Sequence, residues 1–320
     1  MGTAAMDTIA VVLDAPQVLG LRRLDLAAPG EEDIVVDVDF SGVSTGTERL
    51  LWSGRMPPFP GMGYPLVPGY ESVGRVREAG ARAGFSPGER VFVPGASCYK
   101  GAHGLFGGAA RRLIAPGRRA IALPENLPER LAETGVLFAL AATAHHAIAA
   151  GAAPPDLIVG HGVLGRLLAR IALARGAPAP TVWEADPSRR DAEGYSVVAP
   201  QDDARRDYRA IYDASGAGDL LNGLIARLGR GGEVVLAGFY EAPLSFDFPP
   251  AFMRETRLRI AAEWSPEDLT ATRDLVATGR LSLEGLITHR QAAETAEQAY
   301  RTAFSDTACL KMVLDWRNLP

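Results

Sequence analysis

Gly160, Gly162 and Gly165 form a Gly-x-Gly-x-x-Gly arrangement within "DLIVGHGVLGRLLARIALARG". An apolar run precedes them and an amphipathic pattern follows, so the glycines fall where a strand turns into a helix. The chemistry such a turn offers is anion binding. Gly160 permits the tight turn, Gly162 lets a pyrophosphate approach the backbone, and Gly165 lets the helix pack closely on the strand. Free N–H groups and the dipole at the helix N-terminus then favour the phosphates of a dinucleotide. Glu184 ends the next apolar run, "TVWEAD". A carboxylate there accepts hydrogen bonds from a ribose 2′-OH and repels a 2′-phosphate, so NAD is expected over NADP. Arg189 and Arg190 follow closely enough to receive a phosphate, although they read first as solvated charges. His161, inside the loop, is expected as a turn residue with an exposed ring and is assigned no proton transfer. Val163 and Leu164, with Thr143, Ser215 and Gly238, complete the expected cofactor-binding residues.

A second group of reactive side chains lies in "SGVSTGTE" and "PGYESVGRV". Ser44, Thr47 and Tyr70 can hydrogen-bond a substrate oxygen, with Glu48 and Glu71 as support. A phenol donates to a carbonyl oxygen or, if its reference pKa of about 10 is lowered, accepts a proton. No lysine is near Tyr70 in sequence to lower it. Two readings stay open: the Tyr70 hydroxyl handles the substrate oxygen, or its ring only fills space. Glu71 reads as a buried, paired carboxylate and Glu48 as the residue that orients its loop. His103, His145, His146 and His289 read as structural.

These residues need a scaffold. From residue 7 to about 123 the chain is a series of short apolar runs separated by Gly and Pro, the pattern of a compact, irregular β-domain. Helical periodicity takes over in "LPENLPERLAETGVLFALAATAHHAIAAG". Its most apolar part, 135–151, is interrupted by Thr143, His145 and His146 and reads as a buried helix rather than a bilayer span. Strands and helices then alternate to about residue 264, which predicts a doubly wound parallel sheet. Two amphipathic helices and a strand, "ACLKMVLDW", end the chain. The expected organisation is α/β, with one domain from 1–123 and 265–320 and a dinucleotide-binding domain at 124–264.

Composition narrows the function classes. The 320 residues are 47% apolar and 22% charged, with a net charge of -5, the balance of a globular protein with a sizeable core and no basic surplus for nucleic acid. Cys98 and Cys309 are too far apart to suggest a disulfide framework or zinc cluster, which fits a reducing cytoplasm. The N-terminus lacks a basic region and reads as a first strand, not a signal peptide.

Taken together, "SGVSTGTE", "PGYESVGRV", "GERVFVPG", "LFGGAARRLIAP" and the glycine loop resemble the medium-chain dehydrogenase/reductase superfamily, in the right order over nearly the whole chain. The resemblance implies a GroES-like β-domain built from both chain ends, a Rossmann domain inserted into it, an active site between the two, and a homodimer. Zinc-dependent members carry Cys, His and a third ligand, often Cys, at positions that here read Ser44, Tyr70 and Ala139. None is a good zinc ligand, and the four-cysteine structural lobe is missing, so the chain is similar to a zinc-free branch. More narrowly, "SGVSTGTERLLWSGRMPPFPGMGYPLVPGYESVGRV", "CYKGAHGLFGGAARRL" and "CLKMVLDW" resemble the branch that oxidises the 1-hydroxyethyl side chain of a chlorin or bacteriochlorin in bacteriochlorophyll synthesis. That resemblance implies a tetrapyrrole substrate, and Trp52, Phe59 and Tyr64, on a Pro/Gly-rich loop from Leu50 to Pro65, are expected to border its pocket. A zinc-free NAD(P)H-dependent quinone or enone reductase and a non-catalytic dinucleotide sensor are the alternatives.

Overall fold

The computed structural model of the chain describes residues 6–58, 60–104 and 106–319. It divides into two units, Met1–Ala139 with Leu283–Pro320, and Leu140–Ser282. The expected boundaries at 123/124 and 264/265 therefore differ from those of the units.

In the second unit six short apolar runs become strands, numbered here β1 (Leu157–Val159), β2 (Thr181–Trp183), β3 (Ser196–Val198), β4 (Tyr208–Asp213), β5 (Leu228–Leu236) and β6 (Arg257–Ile260). The sheet order is β3-β2-β1-β4-β5-β6 and every neighbouring pair is parallel. Ile158, Val182, Ile211 and Val234 are fully buried, which is why these strands read as apolar runs and not as alternating patterns. The order reverses between β1 and β4, and ligands of such sheets bind in the crevice beyond the carboxyl ends at that reversal. The glycine loop leaves β1 there, and Ser215 follows β4. The helix Val163–Ala174 buries Leu167, Leu168 and Ile171 on one face.

The same unit accounts for two histidines. Helix Pro266–Ala277 begins with a capping box formed by Ser265 and Asp268. His145 Nδ1 and His146 Nδ1 each lie 2.8 Å from an Asp268 carboxylate oxygen, and Arg175 donates to His145 Nε2 at 2.9 Å. Partial burial works to raise the Asp268 carboxyl, but the bonds from Ser265, His145 and His146 outweigh it and bring the pKa down to about 2. Both histidines are thus tied to a helix cap. Leu131–Ala149 is long and apolar enough to cross a bilayer by length and composition, contrary to the expectation of a shorter run, yet 72% of its most apolar window is buried within the protein.

The first unit carries a seven-stranded sheet in the order His289–Ala292, Met312–Asp315, Asp33–Val43, Ser72–Ala79, Arg90–Val93 and Ile121–Ala122, with Arg112–Pro116 also paired to Asp33–Val43. Met312–Asp315 runs antiparallel to Asp33–Val43, with Met312 opposite Val43. This pairing of distant segments brings the C-terminal strand beside Ser44. The segment from Leu50 to Pro65 is not all loop, because Thr47–Ser53 is a helix, closed by Gly54 at φ 72°. Trp52 on that helix packs against Phe304, ring centroids 5.6 Å apart. The Tyr64 hydroxyl donates to the Leu51 carbonyl at 2.5 Å. Phe59 lies outside the described residues.

Candidate active site

Each glycine of the loop has a distinct structural reason. Gly160 adopts φ +94°, a conformation costly for a side chain, and its N–H donates to the Trp183 carbonyl. A Cβ on Gly165 would lie 1.9 Å from the Gly160 carbonyl oxygen, so any larger residue forces helix and loop apart. Gly162 caps the helix N-terminus, and a Cβ there would meet no protein atom within 4 Å. Open space over a helix N-terminus is what a pyrophosphate needs. Val163 is buried and Leu164 half-buried in the first turn.

Across the sheet reversal, a Cβ on Gly160 would lie 3.3 Å from Ser215 Cα. Ser215 is fixed by donation from its N–H and hydroxyl to Asp213 Oδ1, at 2.8 and 2.6 Å, while Tyr240 donates to Oδ2 at 2.8 Å. A Cβ on Gly238 would lie 2.9 Å from the Gly216 nitrogen. Ser215 and Gly238 thus belong to one tightly packed turn region at the carboxyl ends of β4 and β5. Thr143 is half-buried on the helix Phe138–Ala149.

Glu184 follows β2 directly and its carboxylate is held at both oxygens. The His161 N–H donates to Oε2 at 3.1 Å and the Asp186 N–H to Oε1 at 2.9 Å. Arg190 donates to the Glu184 and Ala185 carbonyls. The expectation for His161 is overturned: it is fully buried, with Nδ1 2.6 Å from the Arg189 carbonyl and Nε2 2.8 Å from the Tyr195 hydroxyl. The segment after β2 folds back over the loop, and burial brings the imidazole pKa down to about 4.

The second cluster lies in the first unit. The Tyr70 hydroxyl donates to Ser44 Oγ at 2.7 Å, with both residues buried. Burial and the neighbouring Glu71 and Glu48 carboxylates hold the phenol pKa above its ordinary value, while hydrogen bonds with Ser44 and Thr47 work the other way. The Phe106 ring meets Tyr70 edge-on at 5.1 Å. Glu48, fully buried, accepts from the Ser44 N–H at 2.9 Å and from the Tyr300 hydroxyl at 2.7 Å. Burial pushes its carboxyl up to about 7. Glu71 is also fully buried, and both its oxygens accept from Lys311 Nζ, at 2.9 and 2.7 Å. Burial raises its pKa while the ammonium pulls it back. A Cβ on Gly42 would lie 2.1 Å from Glu71 Oε2, so the glycine makes room for this carboxylate.

Lys311 and Tyr300 were not among the expected residues. One signal for Lys311 was available: the chain has only two lysines, and this one interrupts an apolar run, "CLKMVL", where an ammonium requires a partner. Nothing in the sequence distinguished Tyr300.

Zinc would require thiolate, imidazole or carboxylate donors in a tetrahedral set. At the positions where that set is expected stand Ser44, Tyr70 and Ala139. The two hydroxyls bond each other and Ala139 is fully buried, while the nearby Glu71 carboxylate is taken by Lys311. This donor set does not fit zinc. Among the described residues no three His, Cys, Asp or Glu side chains group in a way that could hold a metal ion.

A parallel sheet with a glycine turn at its reversal, together with a β-unit drawn from both ends of the chain, defines a class of dehydrogenase. Residues 30–125 match the alcohol dehydrogenase GroES-like domain. L-idonate 5-dehydrogenase from Escherichia coli superposes with a TM-score of 0.83 over 97% of this chain and 98% of its own, at 18% identity, which shows the fold alone. The chain is 57% identical to the 2-desacetyl-2-hydroxyethyl bacteriochlorophyllide A dehydrogenase of Rhodobacter capsulatus, over 98% of this chain and 99% of that one. It is 56% identical to the enzyme of that name from Cereibacter sphaeroides, at the same coverage. The chain belongs to this family, within the medium-chain dehydrogenase/reductase superfamily.

Proposed function

We propose that the protein oxidises the 1-hydroxyethyl side chain of a bacteriochlorophyllide to an acetyl group, with NAD as hydride acceptor and without catalytic zinc. The observation that carries this reading is the 57% identity, end to end, with a relative named for that substrate. NAD is supported by Glu184, whose carboxylate is held at the end of β2, where it would meet a ribose 2′-OH and repel a 2′-phosphate.

Bound NAD supplies the acceptor for the hydride; the rest of the chemistry falls to hydroxyl groups. Ser44 Oγ already accepts from Tyr70 and keeps a lone pair that accepts from the substrate hydroxyl. As the hydride leaves for NAD, the hydroxyl proton passes to Ser44 Oγ while Ser44 releases its own proton to solvent, so no net charge stays on the serine. Tyr70, its pKa raised, stays protonated and acts as a donor rather than a base. Glu48 holds the Ser44 backbone in place. Glu71 is committed to Lys311 and supports the turn without touching the substrate. The acetyl product conjugates with the macrocycle, so the alcohol is activated by its own ring, which weakens the need for a Lewis acid. Trp52, Phe59 and Tyr64 remain candidates for the pocket border.

The test is anaerobic incubation of the purified protein with a hydroxyethyl bacteriochlorophyllide and either NAD or NADP, following the red-shifted absorption of the acetyl product. Turnover with NAD is expected, and it should survive prior treatment of the protein with a zinc chelator. No red shift, with NAD shown to be bound, overturns the substrate assignment. Equal turnover with NADP overturns the cofactor assignment.

A further inference from the structure

The geometry points to a specificity role for His161: its ring ties the glycine loop to the segment after β2 and so fixes the Glu184 carboxylate that selects the dinucleotide. The inference rests on the NAD reading above. A carbonyl oxygen only accepts, so His161 Nδ1, 2.6 Å from the Arg189 carbonyl, carries the ring hydrogen. Nε2 then accepts from the Tyr195 hydroxyl at 2.8 Å, and the two rings meet edge-on. One buried imidazole thus uses both nitrogens to hold two points of the following segment.

Arg166, one helical turn further on, reinforces the seam by donating to the His161, Arg189 and Asp191 carbonyls, at 3.2, 3.0 and 3.1 Å. The same seam sets the carboxylate. Glu184 takes one N–H from His161 in the loop and one from Asp186 in the segment, so its two oxygens span the two sides that the ring holds together. A carboxylate fixed in this way cannot swing away from a 2′-phosphate, and its full repulsion is felt. With the seam loosened, the carboxylate can rotate aside, the ribose hydroxyls lose a pre-aimed acceptor and the phosphate is tolerated.

The test is calorimetric titration of the full-length protein with NAD and, separately, NADP. His161→Phe keeps an aromatic ring and deletes both ring bonds. The ratio of NADP to NAD dissociation constants is expected to fall about tenfold, mostly through weaker NAD binding. Turnover at saturating NAD should stay within about twofold, since the ring is not expected to touch the reacting atoms. His161→Asn, whose amide can still donate toward the Arg189 carbonyl, should recover part of the ratio. Tyr195→Phe, which removes one bond and keeps the packing, should lower it by about threefold and serves if the histidine variants fail to fold. Glu184→Gln separates the two ideas. If Glu184→Gln lowers the ratio while folded His161→Phe and Tyr195→Phe leave it at the wild-type value, the role of His161 is overturned. If Glu184→Gln changes nothing, the NAD reading of Glu184 falls, and the inference with it.

Discussion

Around the glycine loop the polar partners are mostly backbone groups drawn from one short stretch of chain, whereas around Ser44 and Tyr70 they are side chains delivered from far away. Glu48 and Tyr300 are 252 residues apart, and Glu71 and Lys311 are 240. The first cluster holds its carboxylate at a half-buried position by two N–H groups. The second buries two carboxylates completely and matches one of them with a lysine. The difference separates two ways of making a site. A cofactor loop can be written locally because glycine conformations and close approach are properties of adjacent residues. A pair of buried hydroxyls that must stay oriented needs buried polar neighbours, and those require a long-range fold to supply and satisfy them.

The sharpest way to break this contrast is to remove a charge from the distant cluster. Lys311→Ala leaves Glu71 buried and unpaired, and urea denaturation should show a loss of about 3–5 kcal/mol. Lys311→Met combined with Glu71→Gln should regain most of it. The next largest effect is in pH dependence. Glu48 has an ordinary value of 4.5 and is held near 7 in the folded protein, so between those values the folded state keeps a proton that the unfolded chain has released. Its contribution to stability is full below about pH 4.5 and is lost as pH rises through about 7, by up to about 3 kcal/mol. Glu48→Gln should flatten that slope in a series of melts.

The local cluster should respond to close approach rather than to charge. Gly165→Ala drives a methyl group against the Gly160 carbonyl and is expected to cost about 2 kcal/mol of stability and to weaken dinucleotide binding. It should leave the Glu48 pH slope untouched, and a change in that slope would show that the two clusters are not independent. The smallest effect is expected from Tyr70→Phe, which deletes one hydrogen bond to Ser44. Turnover of the hydroxyethyl pigment should fall about tenfold with NAD affinity unchanged. Unaltered turnover would leave Tyr70 as filler.

Much of the fold was legible in the sequence. The apolar runs at 157–159, 181–183 and 208–213 became buried parallel strands, and both late amphipathic patterns became helices. Leu50–Ser53 was misread as the start of a loop because Pro and Gly crowd the stretch after it, while the helix it belongs to, Thr47–Ser53, is only about two turns long. His161 was misread for a different reason. A polar residue in a turn is exposed by default, and only the return of residues 185–195 over the loop buries it.

The sequence by itself determined the glycine turn after β1, since φ +94° at Gly160 and the 1.9 Å at which a Cβ on Gly165 would meet the Gly160 carbonyl oxygen are demands only glycine meets. It also determined that Ser44, Tyr70 and Ala139 offer no thiolate, imidazole or carboxylate, whatever the fold. Only the tertiary structure decided what surrounds them. Pairing Met312–Asp315 against Asp33–Val43 places Lys311 at Glu71, and the helix Ala296–Ser305 brings Tyr300 to Glu48. Burial sets the protonation of these groups, and burial depends on which distant segments pack together, which residue types and spacing do not state.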